Sequence, residues 1–506
     1  MAMNSTAQAE VNLRTRIVSG LAWKGASQLI LQSVRLGLAI ALAHLLTPHD
    51  YGLAGMVLVF STFVIPFADL GLGAALVQRK ALSSVDISTV FWTSVGAGAI
   101  FTIVGIALSG LVAHFYHEPA VRSLFAVLSA SFFITALSAT HRSLLVREIN
   151  FRSLEIRLLI STALAVPLAI LTAALGYGPW AFIVLELTMA TGSTILLWLL
   201  VPWRPSLAFS TASLRRLAGF GVNTLGARFF LDVNQIADKL LIGRFLGAAP
   251  LGAYTLSYNV VLSPFTRIVG PLQEIFFPAF ARMQDEEARM RSAWLRVNRV
   301  VAAIAIPASA GLVIVAPDFV VVVLGSRWHA ATRVIEILAW VGLLLALQGL
   351  NQSVLQARDR TTDLLRFTLL SLVLNVLGFV IGLKWGIVGV ATAYATTTTL
   401  LTPIYIYLAA ESLSCSLVAY LRSLVGVVQA AAGMSVMMLG LREVLTEANV
   451  HPALRLGSCV LIGAMVFLVL CRWRASEVFA DVRSLRGAQK VEPLLPDAQR
   501  GRRASA

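Results

Sequence analysis

The sequence predicts an all-α integral membrane protein with about fourteen transmembrane helices. The expected arrangement is two six-helix parallel-repeat lobes around a central cavity, plus a C-terminal helix pair. Three observations lead there. The chain is 58% hydrophobic and only 13% charged over 506 residues, with a mean hydropathy of +0.81, where soluble domains carry about 25% charge. Its apolar residues come in blocks of about 20, each long enough to cross a ~30 Å hydrocarbon core as a helix. Alternation at strand period is absent, which argues against a barrel. Finally, Lys and Arg gather in alternate connections between the blocks.

The spans are expected near 18–46, 51–77, 88–113, 120–140, 158–176, 179–201, 217–246, 251–279, 299–316, 332–356, 364–383, 386–410, 417–440 and 454–471. They divide the chain into a cytoplasmic tail (1–17), an N-lobe (18–201), an interlobe linker (202–216), a C-lobe (217–410), a final helix pair (411–471) and a basic tail (472–506). An even number of spans puts both termini on one side. With that side cytoplasmic, the inner segments hold about 28 of the Lys and Arg residues, the outer loops about 6 and the spans about 6. The net charge of +15 is therefore read as topology of the positive-inside kind, and no nucleic-acid partner is expected. Outer loops are short, as in Thr47-Pro48-His49-Asp50 and Gly176-Tyr177-Gly178. The longest, at 317–333 and 441–455, are the size of ordinary connections rather than of a folded domain. The basic tail is expected to be disordered beyond a first amphipathic turn, solvated and orienting.

An internal repeat supports the lobes. Leu46-Thr-Pro-His-Asp-Tyr-Gly52 joins spans 1 and 2, and Leu246-Gly-Ala-Ala-Pro-Leu-Gly252 joins spans 7 and 8 at the same Leu-to-Gly spacing. Pro66-Phe67 and Pro264-Phe265 follow at nearly matched depth. Six intervening spans preserve the topology, so the copies are parallel repeats about an axis along the membrane normal.

Polar residues inside the spans carry the functional information, because a charge at a helix centre costs roughly 2.5–3.5 kcal/mol on the insertion scale. Span 1 presents Lys24, Gln28, Gln32 and Arg35 at spacings that share one helical face. No acid in its own span can pair with Arg35, so a water-filled cavity is expected for it. Span 7 presents Arg228, Asp232, Gln235 and Lys239 on one face, with Asn234 and Asp238 beside them. Span 8 adds Arg267 and Glu274, and span 2 adds Asp69. Lys24, Gln28, Gln32, Arg35, Arg228, Asp232, Gln235, Lys239 and Arg267 are candidate cavity residues for an anionic head group. Asp69, Asp238 and Glu274 are candidates for a coupling ion. Local ion pairs compete with this assignment: Arg228 with Asp232, and Arg267 with Asp69 or Glu274. Glu186 and Glu336 are weaker proton or sodium sites near span ends.

Nothing points to a cofactor or a metal. Cys415, Cys459 and Cys471 are widely spaced and form no CxxC pair. His114 and His117 are read as solvated or interfacial. No Ser/His/Asp set or phosphate-cradling loop stands out, and no large outer loop offers a place for catalysis, so an enzyme is not expected.

Four stretches stand out together: Leu45-Leu46-Thr47-Pro48-x-x-Tyr51-Gly52, Phe67-x-Asp69-Leu70-Gly71-Leu72-Gly73-x-x-Leu76-Val77-Gln78, Arg147-x-x-x-Phe151, and Asn234-x3-Asp238-x3-Ile242-Gly243-x2-Leu246-Gly247-x3-Leu251-Gly252-x-Tyr254. On these the chain resembles the oligosaccharide flippases of bacterial polysaccharide biosynthesis, the Wzx-like branch of the multidrug/oligosaccharidyl-lipid/polysaccharide exporter superfamily. The resemblance implies a substrate of undecaprenyl diphosphate carrying a short oligosaccharide. The product would be exopolysaccharide, capsule or lipopolysaccharide O-antigen, with the polysaccharide polymerase and export machinery as candidate partners beside the membrane lipids. Two alternatives share the fold: an ion-coupled drug or metabolite exporter, and a flippase for peptidoglycan precursor. The excess of Lys and Arg over acid on the stripes disfavours export of a cation.

The topology is directly testable. Reporter fusions after Arg152, Arg291 and Arg472 are expected to report the cytoplasm, and fusions after Asp50, Gly178 and Ala249 the opposite side. A reversed pattern overturns the span assignment.

Overall fold

The computed structural model describes residues 23, 25, 27–79 and 82–488. The side chains of residues 65, 218–231, 266–269, 271–272, 274–275 and 484–488 are not among those described. Among the described residues the chain is helical with no strand. Eleven helical segments are long and apolar enough to cross a membrane, and one of them, Thr361–Ser412, holds two helices. The protein is thus a multi-pass membrane protein, and among the described residues each expected span falls on a helical segment.

The first turn of the structure explains the first repeat motif. Helix α1 (Ser27–Leu45) hands over to α2 (Pro48–Leu58) through Thr47, whose side chain accepts the Asp50 N–H while the Asp50 carboxylate accepts the Thr47 N–H at 3.0 Å. Pro48 occupies the first helical position, where its missing N–H costs nothing. Thr-Pro-x-Asp is therefore a helix start written into the sequence.

The second expected span is not one helix. After α2 the chain tightens into a 3-10 turn (Val59–Phe63), resumes as α3 (Val64–Asp69) and restarts as α4 (Leu72–Gln78). Pro66 removes a donor and crowds the carbonyl four residues earlier, at Thr62, which accounts for the tightened turn. Leu70 and Gly71 then lie in the left-handed region, at φ 50° and 70°. Asp69 Oδ1 accepts the Gly71 N–H at 2.7 Å and fixes the break. Asp69, expected as a coupling residue, thus has a local backbone role as well.

The next helices are α5 (Ser84–Tyr116), α6 (Ala120–Leu128), α7 (Ala130–Arg147), α8 (Phe151–Ala174), α9 (Trp180–Leu200), α10 (Thr211–Leu246), α11 (Ala248–Arg282) and α12 (Glu287–Phe319). They are followed by α13 (Ala331–Gln348), α14 (Asn351–Ala357), α15 (Thr361–Gly382), α16 (Gly386–Ser412), α17 (Leu417–Glu447) and α18 (Pro452–Arg474). Two expected outer loops shrink. Residues 317–333 contain the end of α12, a π-turn over Val320–Leu324 and a 3-10 turn over Ser326–Trp328, and α17 continues to Glu447. The basic tail begins with more than one turn: α19 (Ser476–Ala488) runs for 13 residues.

Two compact units can be distinguished. The first contains residues up to Pro271, together with Ala316–Gly342 and Thr362–Pro403. Here Tyr51, 2% exposed, sets its ring edge-on to Phe182 at 4.8 Å and to Trp328 at 5.1 Å. Its hydroxyl donates to the Ala39 carbonyl at 2.8 Å, and Trp328 Nε1 donates to the Ala43 carbonyl at 2.9 Å. Both indole and phenol thereby satisfy their polar ends while burying their rings. On α1, Leu31 and Leu42 are buried whereas Leu29 and Ile30 point outward, as expected of a helix with one face to protein and one to hydrocarbon.

The second unit contains Leu272–Val315, Leu343–Thr361 and Ile404–Ala506. Trp294 stacks on Tyr420 at 5.0 Å and donates to Asn351 Oδ1 at 3.2 Å. Arg299 on α12 reaches both Glu477 and Asp481 on α19. These acids are four residues apart on one helical face, which is why the tail continues as a helix instead of fraying. Burial pushes the Asp481 carboxyl above its ordinary range, and Arg299 draws it back down.

Candidate functional site: a chamber beside buried charges

The polar stripe of α1 turns inward. Gln28, Gln32 and Arg35 are half-buried, on the face away from Leu29 and Ile30. Ten residues separate Arg35 from Leu45, so it lies about 15 Å from the end of its helix, close to mid-membrane. Its electrostatic partner is Glu186 of α9, itself half-buried. The acid comes from another span, so α1 alone cannot reveal it. Closer to the start of α1, Gln28 Nε2 donates to Glu155 Oε2 at 3.3 Å and Ser27 donates to the same oxygen at 2.5 Å. Glu155, on the first turns of α8, was not among the candidate residues. Gln32 Oε1 is buried without a hydrogen-bond partner among the described residues.

A chamber of about 170 Å³ lies between α2, α9, α10 and α11. Its wall includes Tyr51, Thr62, Phe182, Lys239, Thr255 and Asn259. Glu186 follows Phe182 by four residues and so continues the same face of α9 one turn deeper. Lys239 is seven residues from the end of α10, about 10 Å along the axis. Its Nζ sits 4.0 Å from the centre of the Tyr258 ring, where the ring face attracts a cation. Thr255 Oγ1 and Asn234 Oδ1 are buried without hydrogen-bond partners among the described residues. Such orphaned atoms call for water or a polar ligand.

Asp238 forms the second centre. It is 3% exposed, and its Oδ2 accepts the Tyr254 hydroxyl at 2.8 Å. Its Oδ1 accepts the backbone N–H of Lys239 at 2.7 Å. Lys239 and Tyr394 of α16 interact with it electrostatically. A buried carboxylate beside a buried ammonium, with tyrosine hydroxyls around them, is a site where one proton or one small cation changes the local charge balance.

Of the other expected residues, Asp232 is buried and Gln235 is exposed. Glu336 pairs with Arg333 at 2.9 Å on the same helix. His117, exposed at the end of α5, accepts a hydrogen bond from Arg244 Nη1 at 2.6 Å. Lys24 lies outside the described residues, as do the side chains of Arg228, Arg267 and Glu274. The described residues contain no group of three or more His, Cys, Asp or Glu able to hold a metal.

A family model described as "Polysaccharide biosynthesis protein" matches residues 41–333, and the chain belongs to that family. The chain is 26% identical over 462 residues to the teichuronic acid biosynthesis protein TuaB of Bacillus subtilis, covering 91% of this chain and 96% of that protein. It is 28% identical to the lipopolysaccharide biosynthesis protein WzxC of Escherichia coli over 76% of this chain and 79% of that one. Among solved structures, the lipid II flippase MurJ in an inward closed conformation superposes with a TM-score of 0.72 at 13% identity, covering 90% of this chain and 99% of that one. The fold is that of an all-α membrane transporter.

The Arg35–Glu186 coupling has a measurable consequence. Arg35→Ala removes the cation that interacts with the half-buried Glu186 carboxylate and leaves that charge uncompensated. It is expected to lower the yield of monodisperse protein from detergent, and the double variant Arg35→Ala/Glu186→Gln is expected to recover it. Equal yields for the single and double variants would show that the two side chains are uncoupled.

Proposed function

We propose that this protein moves a lipid-diphosphate-linked oligosaccharide across the bacterial inner membrane during surface polysaccharide biosynthesis, with undecaprenyl diphosphate as the lipid. The observation that carries the proposal is Lys239 in the wall of an interior chamber, with a second cation, Arg35, half-buried on the inward face of α1, in a chain of this family. A diphosphate carries about two negative charges, and a guanidinium or ammonium in a low-dielectric cavity is its natural host. Gln28, Gln32, Asn234, Thr255 and Asn259 supply neutral hydrogen-bonding groups of the kind a sugar hydroxyl needs. Arg228, Asp232, Gln235, Arg267 and Lys24 complete the proposed cavity set. Asp238 is the proposed coupling group, with Asp69 and Glu274 as further candidates.

The proposed cycle has two lobes, residues 18–201 and 217–410, rocking about the central cavity, with both termini in the cytoplasm. Family membership favours this substrate over a drug or metabolite, and also over the peptidoglycan precursor.

A chromosomal deletion tests it. The strain is expected to lose surface polysaccharide and to accumulate lipid-linked repeat units, and a plasmid copy restores both. A copy carrying Arg35→Ala/Glu186→Gln is expected to reach the membrane yet restore little, while Arg35→Lys, which keeps the charge but not the bidentate fork, restores part. A deletion strain that makes normal polysaccharide but lyses contradicts the proposal and points to the peptidoglycan precursor.

A further inference from the structure

The two repeat motifs meet each other. An ideal Cβ placed on Gly52 would overlap the backbone carbonyl of Ala248, and one placed on Gly252 would overlap the backbone carbonyl of Pro48. The same Cβ on Gly252 would lie 2.9 Å from the Gly52 nitrogen. The contact is reciprocal: 52 meets 248 and 252 meets 48, and the equivalent positions, 48 with 248 and 52 with 252, are each two hundred residues apart. That is the pattern of an isologous interface, here made within one chain by α2 and α11. One turn deeper the same pair of helices continues, with Gly55 placing its Cβ position 3.2 Å from Thr255 Oγ1. Gly55 and Thr255 both line the chamber. The glycine crossing is therefore the chamber's cover at this end.

Polar contacts surround the crossing and join the same two halves of the chain. Arg327 Nη1 donates to the Leu46 carbonyl at 3.2 Å, and His44 Nε2 is 2.9 Å from the Val323 carbonyl. Arg244 meets His117 at 2.6 Å. These contacts can exchange with water when the helices part. The glycine contacts cannot be reproduced by any other residue, because the obstructing atoms are backbone and have nowhere to move.

We infer that Gly52 and Gly252 are a matched closure pair, and that their backbone-to-backbone contact seals the chamber from the side of the 47–50 and 247–250 turns in one state of the transport cycle. The inference rests on the transporter reading above, and adds to it the residues that position the two halves. A methyl group at either glycine wedges α2 from α11 and leaves that end open. Because the contact is reciprocal, the two substitutions act alike although they stand in different repeats.

The test uses the full chain with its three native cysteines replaced and a single cysteine introduced by Thr255→Cys in the chamber wall. A membrane-impermeant maleimide is added from the side of the 47–50 turn. Protection is expected with both glycines intact. Gly52→Val and Gly252→Val are each expected to raise the labelling rate about tenfold or more, as local opening does. Gly37→Val, at a position with nothing within 4 Å of the added carbon, is the control and leaves the rate unchanged. If valine lowers the amount of protein in the membrane, Gly52→Ala and Gly252→Ala carry the test, since one methyl group already overlaps a carbonyl. Continued protection in those alanine variants overturns the inference, as does a response from one glycine but not the other. No substrate enters the measurement, so a failed transport assay would bear on the proposed function and leave this result standing.

Discussion

A charged side chain in a hydrocarbon core must face protein or water, and this constraint organises the first unit of the structure. Arg35 and Glu186 lie on helices, α1 and α9, whose exposed residues include Leu29, Ile30, Ile195 and Leu199, and Asp238 is buried on α10 beside Lys239. Each charge has a partner from a different place in the chain or an aromatic face to rest on: Glu186 for Arg35, and the Tyr258 ring for Lys239. The helices are thereby fixed in rotation. Slipping α1 by one residue would turn Arg35 by about 100° toward lipid, at a cost of several kcal/mol.

The interrupted second span sets irregular backbone beside the chamber. The break at Leu70–Gly71 is capped by Asp69, and the 3-10 turn before it contributes Val59 and Thr62 to the chamber wall. In a lipid-exposed segment such a break would leave carbonyls unsatisfied; beside a chamber they find partners or water. Closure at the 47–50 end adds a second demand. Two helices approach until only hydrogen fits between their backbones, and this sets glycine at both 52 and 252.

Much of this is legible in the sequence, and the illegible part has a physical cause. Hydropathy blocks of fixed length announce the spans, because the bilayer imposes one thickness on all of them. The capping box at Thr47 and Asp50 announces the start of α2, and the equal Leu-to-Gly spacing announces the repeat. What stays hidden is whatever depends on a partner from another span. Glu186 looks like an isolated acid near a helix end until α9 is set against α1. Glu155 reads as part of a basic cytoplasmic cluster until Ser27 and Gln28 reach it. The breaks at Leu70 and after Gln348 are equally invisible to a hydropathy window, which averages over them. The helical tail from Ser476 depends on Arg299, far earlier in the chain.

The central claim is that inward-facing cations on the membrane helices, Lys239 in the chamber wall and Arg35 on α1, carry a diphosphate-linked sugar across the bilayer. It is met most directly by purified protein in vesicles containing a short-chain polyprenyl-diphosphate oligosaccharide, with the inward-facing fraction read by its resistance to an added glycosidase. Vesicles with the protein are expected to redistribute the lipid between leaflets within the assay, and vesicles with Arg35→Ala/Glu186→Gln are expected to behave like protein-free ones. Redistribution by that double variant at the rate of the unmodified protein would contradict the claim.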